Sequence, residues 1–295
     1  MAQFEDDLIE VGAGKLAISR GGAGPPVLLL HGFPQTRAMW QPIAQRLSCD
    51  FTVVSADLRG YGSSFKPGIG TPDDCAAYSF RAMGRDQLSL MRHLGFNRFH
   101  LVGHDRGARV AYRMALDAPE AVQSLTLMDI VPTHRLLETL THPVAKSYYH
   151  WFFLAQPHPF PERLIGADPD YFFESCLLGW GGASLDDFRP EALSDYRAAW
   201  RQPEVIFGMC QDYRAAIAHD LSLDAADLHR QVHCPALVLY GADGVMARAY
   251  DVPAAWEDRL AQMQAQALPG GHFFPDTAPE ATADMLARFL GARGA

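Results

Sequence analysis

Lysine is nearly missing from this 295-residue chain: Lys15, Lys66 and Lys146 are the only three among 25 basic side chains. With 34 acidic residues the formal net charge is −9. That excludes nucleic acid as an expected partner, because phosphate binding needs a basic surface, and any anionic ligand must be drawn by a local positive site. Long apolar runs are absent too. The aliphatic stretch Val27–Leu30 is four residues, against roughly 20 for a bilayer-spanning helix, so no membrane association is expected. The opening MAQFEDDLIE is acidic where an export signal would be basic and then apolar. Five scattered cysteines (Cys49, Cys75, Cys176, Cys210, Cys234) lack CxxC spacing and read as reduced thiols of a cytoplasmic protein. No GxGxxG or Walker sequence is present, so no nucleotide cofactor is implied. His100 and His104 span a strand and a turn, and His229 and His233 have no evident further ligands, so no metal is expected. What remains, 48% apolar and 20% charged residues, is the composition of a globular domain and not of a disordered chain or coiled coil.

Short β-rich runs alternate with helical spacing between about residues 25 and 130. PPVLLLHG, FTVVSAD, RFHLVGHD and SLTLMD have the apolar density of buried parallel strands, each closed by a polar or glycine-containing turn. Gln41–Leu47, Arg81–Leu94 and Ala108–Leu116 are the intervening helices. PALVLYG and AQALPG return to the strand pattern after residue 234, and a helix over Ala281–Leu290 closes the chain. The expected fold class is α/β, a mostly parallel sheet flanked by helices. Between residues 132 and 230 the strand pattern vanishes, and the 66 residues from Tyr148 to Tyr213 hold 15 of the chain's 32 aromatics. The expected organisation is therefore a core of 1–131 and 231–295 carrying a helical cap over 132–230. Ligands are expected between the two, at the C-terminal strand ends.

Gly103-His104-Asp105-Arg106-Gly107 follows the strand RFHLV and precedes a helix. This is the G-x-nucleophile-x-G elbow with aspartate in the usual serine position. Taken alone, it is also a glycine-rich turn with an N-cap aspartate. In this fold the nucleophile is followed in chain order by an acid and a histidine. Asp129 ends the next strand and His272 follows the last one, in PGGHFF. Asp243, in GADG, is the rival for the acid. An aspartate nucleophile narrows the chemistry: attack on an acyl carbon gives a reactive anhydride, whereas attack on an sp³ carbon gives an ordinary ester. Displacement of an alkyl halide or opening of an epoxide fits, with His272, held by Asp129, then activating water against the Asp105 ester. The backbone N–H groups of Arg106 and Phe33 are the expected oxyanion donors.

Arg106 and Arg109 occupy one face of the first turn of the following helix, where cations oppose the helix dipole. A bound anion explains both, since helix N-termini bind anions and guanidinium forks match carboxylates. The alternative is that they pair with protein acids. The expected substrate is a small carboxylate with its leaving group on the adjacent carbon.

These residues resemble the fluoroacetate dehalogenases, a family with the α/β-hydrolase fold. The resemblance runs through HGFPQTRAMW, ADLRGYGSS, HLVGHDRGAR, LMDIVPT, YYHWFFLAQP, GADPD, CQDYRA and PGGHFF, nearly the whole chain. Haloalkane dehalogenases and epoxide hydrolases typically carry Trp after the nucleophile, where this chain has Arg106. The resemblance implies hydrolysis of fluoroacetate to glycolate and fluoride without a cofactor, and a homodimer. It also implies that His150, Trp151 and Tyr213 donate hydrogen bonds to the departing halide. Imidazole, indole and phenol are suited to this as donors on largely apolar bodies. An epoxide hydrolase and a non-catalytic ligand receptor on the same scaffold are the alternatives.

Overall fold

The computed structural model describes residues 2–68, 71 and 73–292. Its sheet has eight strands, β1 (Phe4–Glu10), β2 (Lys15–Gly21), β3 (Pro26–Leu30), β4 (Thr52–Ala56), β5 (Phe99–His104), β6 (Val122–Met128), β7 (Ala236–Gly241) and β8 (Met263–Leu268), in the order β1-β2-β4-β3-β5-β6-β7-β8. From β4 to β8 all neighbours pair in parallel, while β1 and β2 run antiparallel at one edge. The central strands β4 and β5 are buried at every position, as expected of strands covered on both faces.

Sequence reasoning did not anticipate the β1–β2 hairpin. The β1 sequence FEDDLIE is acidic, and Ile9 is its one fully buried residue. Its attachment comes from backbone pairing at a charged edge, a common way of blunting sheet edges. The strand expected at AQALPG begins two residues earlier, at Met263.

Helices α1 (Gln41–Leu47), α2 (Phe80–His93) and α3 (Arg106–Asp117) connect the strands up to β6. Eight more lie between β6 and β7: α4 (Thr133–Glu138), α5 (His142–Ser147), α6 (Tyr149–Leu154), α7 (Phe160–Ala167), α8 (Pro169–Gly179), α9 (Pro190–Trp200), α10 (Pro203–Ala215) and α11 (Leu221–Ala226). The chain ends with α12 (Val245–Ala249), α13 (Phe274–Thr277) and α14 (Pro279–Gly291). Two buried carboxylates tie the α4–α11 segment to the sheet layer. Asp276 accepts hydrogen bonds from Gln35 Nε2 at 2.8 Å and from Tyr196 Oη of α9 at 2.6 Å. Asp212 of α10 accepts from Tyr61 Oη at 2.6 Å.

Strand register assembles the site. Leu30 of β3 is paired with Gly103 of β5, so the HGFP loop leaves the sheet beside the elbow. His104 is paired with Met128, which sets Asp129 next to Asp105. β7 and β8 follow in parallel on the far side of β6 and deliver the loop that carries His272.

Candidate active site

Asp105 sits between the end of β5 and the start of α3 with φ 47° and ψ −115°, a strained conformation for a non-glycine residue that the surrounding packing must enforce. The flanking glycines are steric necessities. A Cβ on Gly103 would run into the Gly107 carbonyl, and one on Gly107 into the carbonyls of Leu30 and His31. The turn lifts the Asp105 carboxylate away from the sheet, and the chain enters α3 immediately. Among the described residues, no protein group accepts a hydrogen bond from the backbone N–H of Phe33 or of Arg106.

His272 Nδ1 donates to Asp129 Oδ2 at 2.6 Å, and Asp129 Oδ1 is fixed by the Gly241 N–H at 2.9 Å. Asp129 also has positive φ, 53°. On the other side of the ring, His272 Nε2 lies 3.6 Å from Asp105 Oδ2. Asp243 is exposed and takes only the Gly270 N–H, at 3.3 Å, so it does not approach the histidine. The three buried groups polarise one another. Burial opposes charge on Asp105, but the neighbouring His272, then Arg106, outweigh it and hold the carboxyl well below its usual range. Burial also opposes charge on His272, and the contacts with Asp105 and Asp129 overcome it, raising the imidazole to about 9. At neutral pH the resting site therefore holds an ionised nucleophile against an imidazolium.

The two arginines differ. Arg106 is fully buried and forms a two-pronged ion pair with Asp212 of α10, Nε to Oδ2 at 2.9 Å and Nη2 to Oδ1 at 2.5 Å. Burial disfavours its charge, and Asp212 restores it. The anion called for by a cation in the first turn is thus in part the protein's own, and of Arg106's nitrogens Nη1 is the one left with no hydrogen-bond partner. Arg109 has no ion-pair partner among the described residues. Its Nη1 donates to the Val131 carbonyl at 3.1 Å and to Thr133 Oγ1 at 2.9 Å, and its Nε bonds to nothing. Burial and then Arg106 lower it to about 10, still protonated at neutral pH. It is a buried cation without an ion pair among the described residues, its guanidinium 4.9 Å from the Trp151 ring centre.

The opposite wall is aromatic. His150 and Trp151, both from α6, and Tyr213 from α10 are buried within one cluster: the His150 and Tyr213 rings lie 5.4 Å apart, and those of Trp151 and Tyr213 5.3 Å apart. The Arg106 guanidinium lies 4.2 Å from the Tyr213 ring centre and 4.7 Å from that of Trp151. Tyr213 Oη and His150 Nδ1 have no hydrogen-bond partner. Burial pushes the Tyr213 phenol well above its ordinary range and the His150 imidazole well below, so both are neutral at pH 7. Four residues escaped sequence reasoning. Asp212 and Tyr61 brace Arg106. Trp180 lies 4.3 Å from His150 and 5.4 Å, edge-on, from His272. Tyr148 stacks on Trp180 with its hydroxyl unpartnered. Tyr148 and Asp212 lie inside motifs already noted, YYHWFF and CQDYRA; their partners, distant in sequence, were the missing information. Among the described residues no group of three or more His, Cys, Asp or Glu side chains is arranged to hold a metal ion, and no helix is long and apolar enough to cross a membrane.

Residues 25–279 match the family model of the alpha/beta hydrolase fold. A fluoroacetate dehalogenase from Burkholderia sp. is 54% identical over 287 residues, covering 97% of this chain and 94% of that protein. The chain belongs to the fluoroacetate dehalogenase family. A soluble epoxide hydrolase from Corynebacterium sp. (strain C12) is a more distant relative, 28% identical, with 91% of each chain covered. The solved structure of ALR0039 from Nostoc sp. PCC 7120 superposes with a TM-score of 0.94 at 46% identity, covering 98% of both chains.

Proposed function

We propose that this protein is a haloacetate dehalogenase, hydrolysing fluoroacetate to glycolate and fluoride. The observation that carries the reading is an ionised aspartate at the nucleophile elbow beside the unpaired Arg109 cation. Asp105 attacks the halogen-bearing carbon, a C–O bond forms as the C–F bond breaks, and fluoride departs. Arg109, helped by Arg106 Nη1, holds the substrate carboxylate through charged hydrogen bonds, worth about 1.5–3 kcal/mol each. His150, Trp151 and Tyr213 face the leaving halide as neutral donors. One donor of this kind contributes about 3 kcal/mol in a transition state, and fluoride, a poor leaving group, needs that help most.

The pKa shifts supply the ordering of the two half-reactions. His272 is held near 9 in part by the Asp105 carboxylate. Alkylation converts that carboxylate into a neutral ester and removes this support, so the imidazolium loses its Nε2 proton to solvent and becomes a neutral base when there is an ester to hydrolyse. Water gives its proton to His272 Nε2 and attacks the ester carbonyl, whose oxyanion meets the N–H groups of Phe33 and Arg106. Collapse releases glycolate and restores Asp105. The epoxide-hydrolase reading is favoured by two buried tyrosine hydroxyls near the nucleophile, Tyr148 and Tyr213, but leaves the Arg109 cation without a purpose. Robust turnover of styrene oxide would support it.

The helical segment 132–230 acts in this scheme as a cap that keeps water from the halide wall. A cytoplasmic homodimer fits the free cysteines and the apolar side chains exposed on the cap, among them Phe160, Leu164 and Tyr171; light scattering on the purified protein tests the assembly. The reaction is tested by following fluoride release from fluoroacetate with an ion-selective electrode, for the wild type and Asp105→Asn. Release by the wild type alone is expected. Equal release by both would remove Asp105 as the nucleophile.

A further inference from the structure

Tyr148 is 4% exposed, yet its hydroxyl meets no protein partner. A buried hydroxyl left unpaired is destabilising, a cost that phenylalanine would avoid in the same volume. The ring is joined to the His272 side of the site through Trp180: it stacks on Trp180 at 5.9 Å and 11°, Trp180 meets His272 edge-on at 5.4 Å, and the Tyr148 ring lies 5.5 Å from that of His150. The charges acting on its hydroxyl locate it further. After burial, the strongest are Asp129 and Asp105, followed by Arg109. For Tyr213 they are Asp105, Arg106 and Asp212. The two phenols thus have different surroundings: the Tyr213 ring lies 4.2 Å from the Arg106 guanidinium, and the Tyr148 ring packs on Trp180, which borders His272. His272 Nε2 and Asp105 Oδ1 are likewise without hydrogen-bond partners.

We propose that Tyr148 is a catalytic residue of the second half-reaction, its hydroxyl holding the water that His272 directs at the Asp105 ester. One water hydrogen goes to His272 Nε2, the other is held by Tyr148 Oη, and the oxygen lone pair faces the ester carbonyl carbon. The new C–O bond forms there, and the bond to the glycolate oxygen breaks. The proton taken by His272 passes to that departing oxygen, and the hydrogen held by Tyr148 ends on His272 Nε2 as Asp105 re-ionises, restoring the resting ion pair. Tyr148 itself stays protonated throughout, as its strongly raised pKa requires.

The test is Tyr148→Phe with chloroacetate, whose halide leaves more readily than fluoride, followed by rapid-quench measurement of chloride and by intact mass of the quenched enzyme. The expected result is one chloride per active site released at the wild-type rate. Turnover then slows by roughly 10- to 100-fold, the scale of one general acid–base contact, with a carboxymethyl group on the enzyme. A raised KM with neither burst nor adduct would overturn the proposal and make Tyr148 a carboxylate-binding residue beside Arg109. Unchanged kinetics would reduce it to packing, and loss of the first chloride would place it in the first half-reaction; both overturn the proposal. The inference rests on the dehalogenase reading. A wild type that releases no halide overturns both, whereas wild-type turnover beside a burst-free variant overturns this inference alone.

Discussion

The two walls of the site are built on opposite principles. On the sheet side Asp105, Asp129 and His272 are charged or strongly polarised: strand register brings them together, a 2.6 Å hydrogen bond fixes His272 to Asp129, and Asp105 lies 3.6 Å from the other ring nitrogen. On the helical side His150 and Tyr213 are neutral, and they and Trp151 are held by ring packing, with Tyr213 Oη and His150 Nδ1 making no hydrogen bond among the described residues. The difference teaches how the work divides. Groups that change charge during the reaction are held by other charges, so each step resets the next. On the function proposed above, the groups that stabilise the departing anion are kept neutral by burial, which leaves their donor capacity free. Arg109 belongs to neither wall: it is a buried cation that bonds to the Val131 carbonyl and Thr133 Oγ1 and has no ion pair among the described residues.

That division can be broken most severely on the sheet side. Asp129→Asn should cut turnover by about 10⁴-fold, the scale for losing the residue that orients a catalytic histidine, while Asp243→Asn leaves steady-state turnover unchanged; the reverse pattern would move the acid to Asp243. Next, Arg109→Leu should raise KM by roughly 10- to 100-fold, corresponding to one charged hydrogen bond, as measured by initial rates against fluoroacetate concentration. On the helical side Tyr213→Phe should slow fluoride release by roughly 10- to 100-fold and chloride release clearly less, because chloride leaves with less help; equal losses for both halides would contradict the division.

The smallest effect is on stability. A histidine raised to about 9 in the folded state, against about 6.5 unfolded, adds stability that is fully present below pH 6.5 and is lost as pH rises through 9. Thermal midpoints should fall over that window, and Asp105→Asn should flatten the fall, because Asp105 is one of the two carboxylates that raise His272.

The triad was legible in the sequence for a physical reason. Asp105 and Asp129 each follow an apolar run that can only be a buried strand, and the ends of adjacent parallel strands lie side by side; His272 follows the largely exposed edge strand β8 and was read from the chain order of acid and histidine. The glycines of the elbow were legible because close backbone approach leaves no other residue type. Arg106 was read only in part: its place in the first turn was visible, but its partner Asp212 lies 106 residues away on a helix whose packing no periodicity reveals. The β1–β2 hairpin was missed because an acidic edge strand carries no burial signal. For Trp151 and Tyr213, packing alone would have been the better reading of an aromatic-rich segment without the family resemblance. Tyr148, like Tyr213, is marked by a buried oxygen without a hydrogen bond among the described residues, which composition cannot express.

The covalent ester is most directly tested by the intact mass of His272→Asn after incubation with fluoroacetate. This variant keeps the nucleophile and the halide wall but lacks the base. The enzyme is expected to gain one carboxymethyl group, mapped to the peptide containing Asp105, and to release one fluoride per chain before stopping. An unmodified mass with fluoride release continuing would mean that water attacks the substrate directly and that Asp105 is not alkylated.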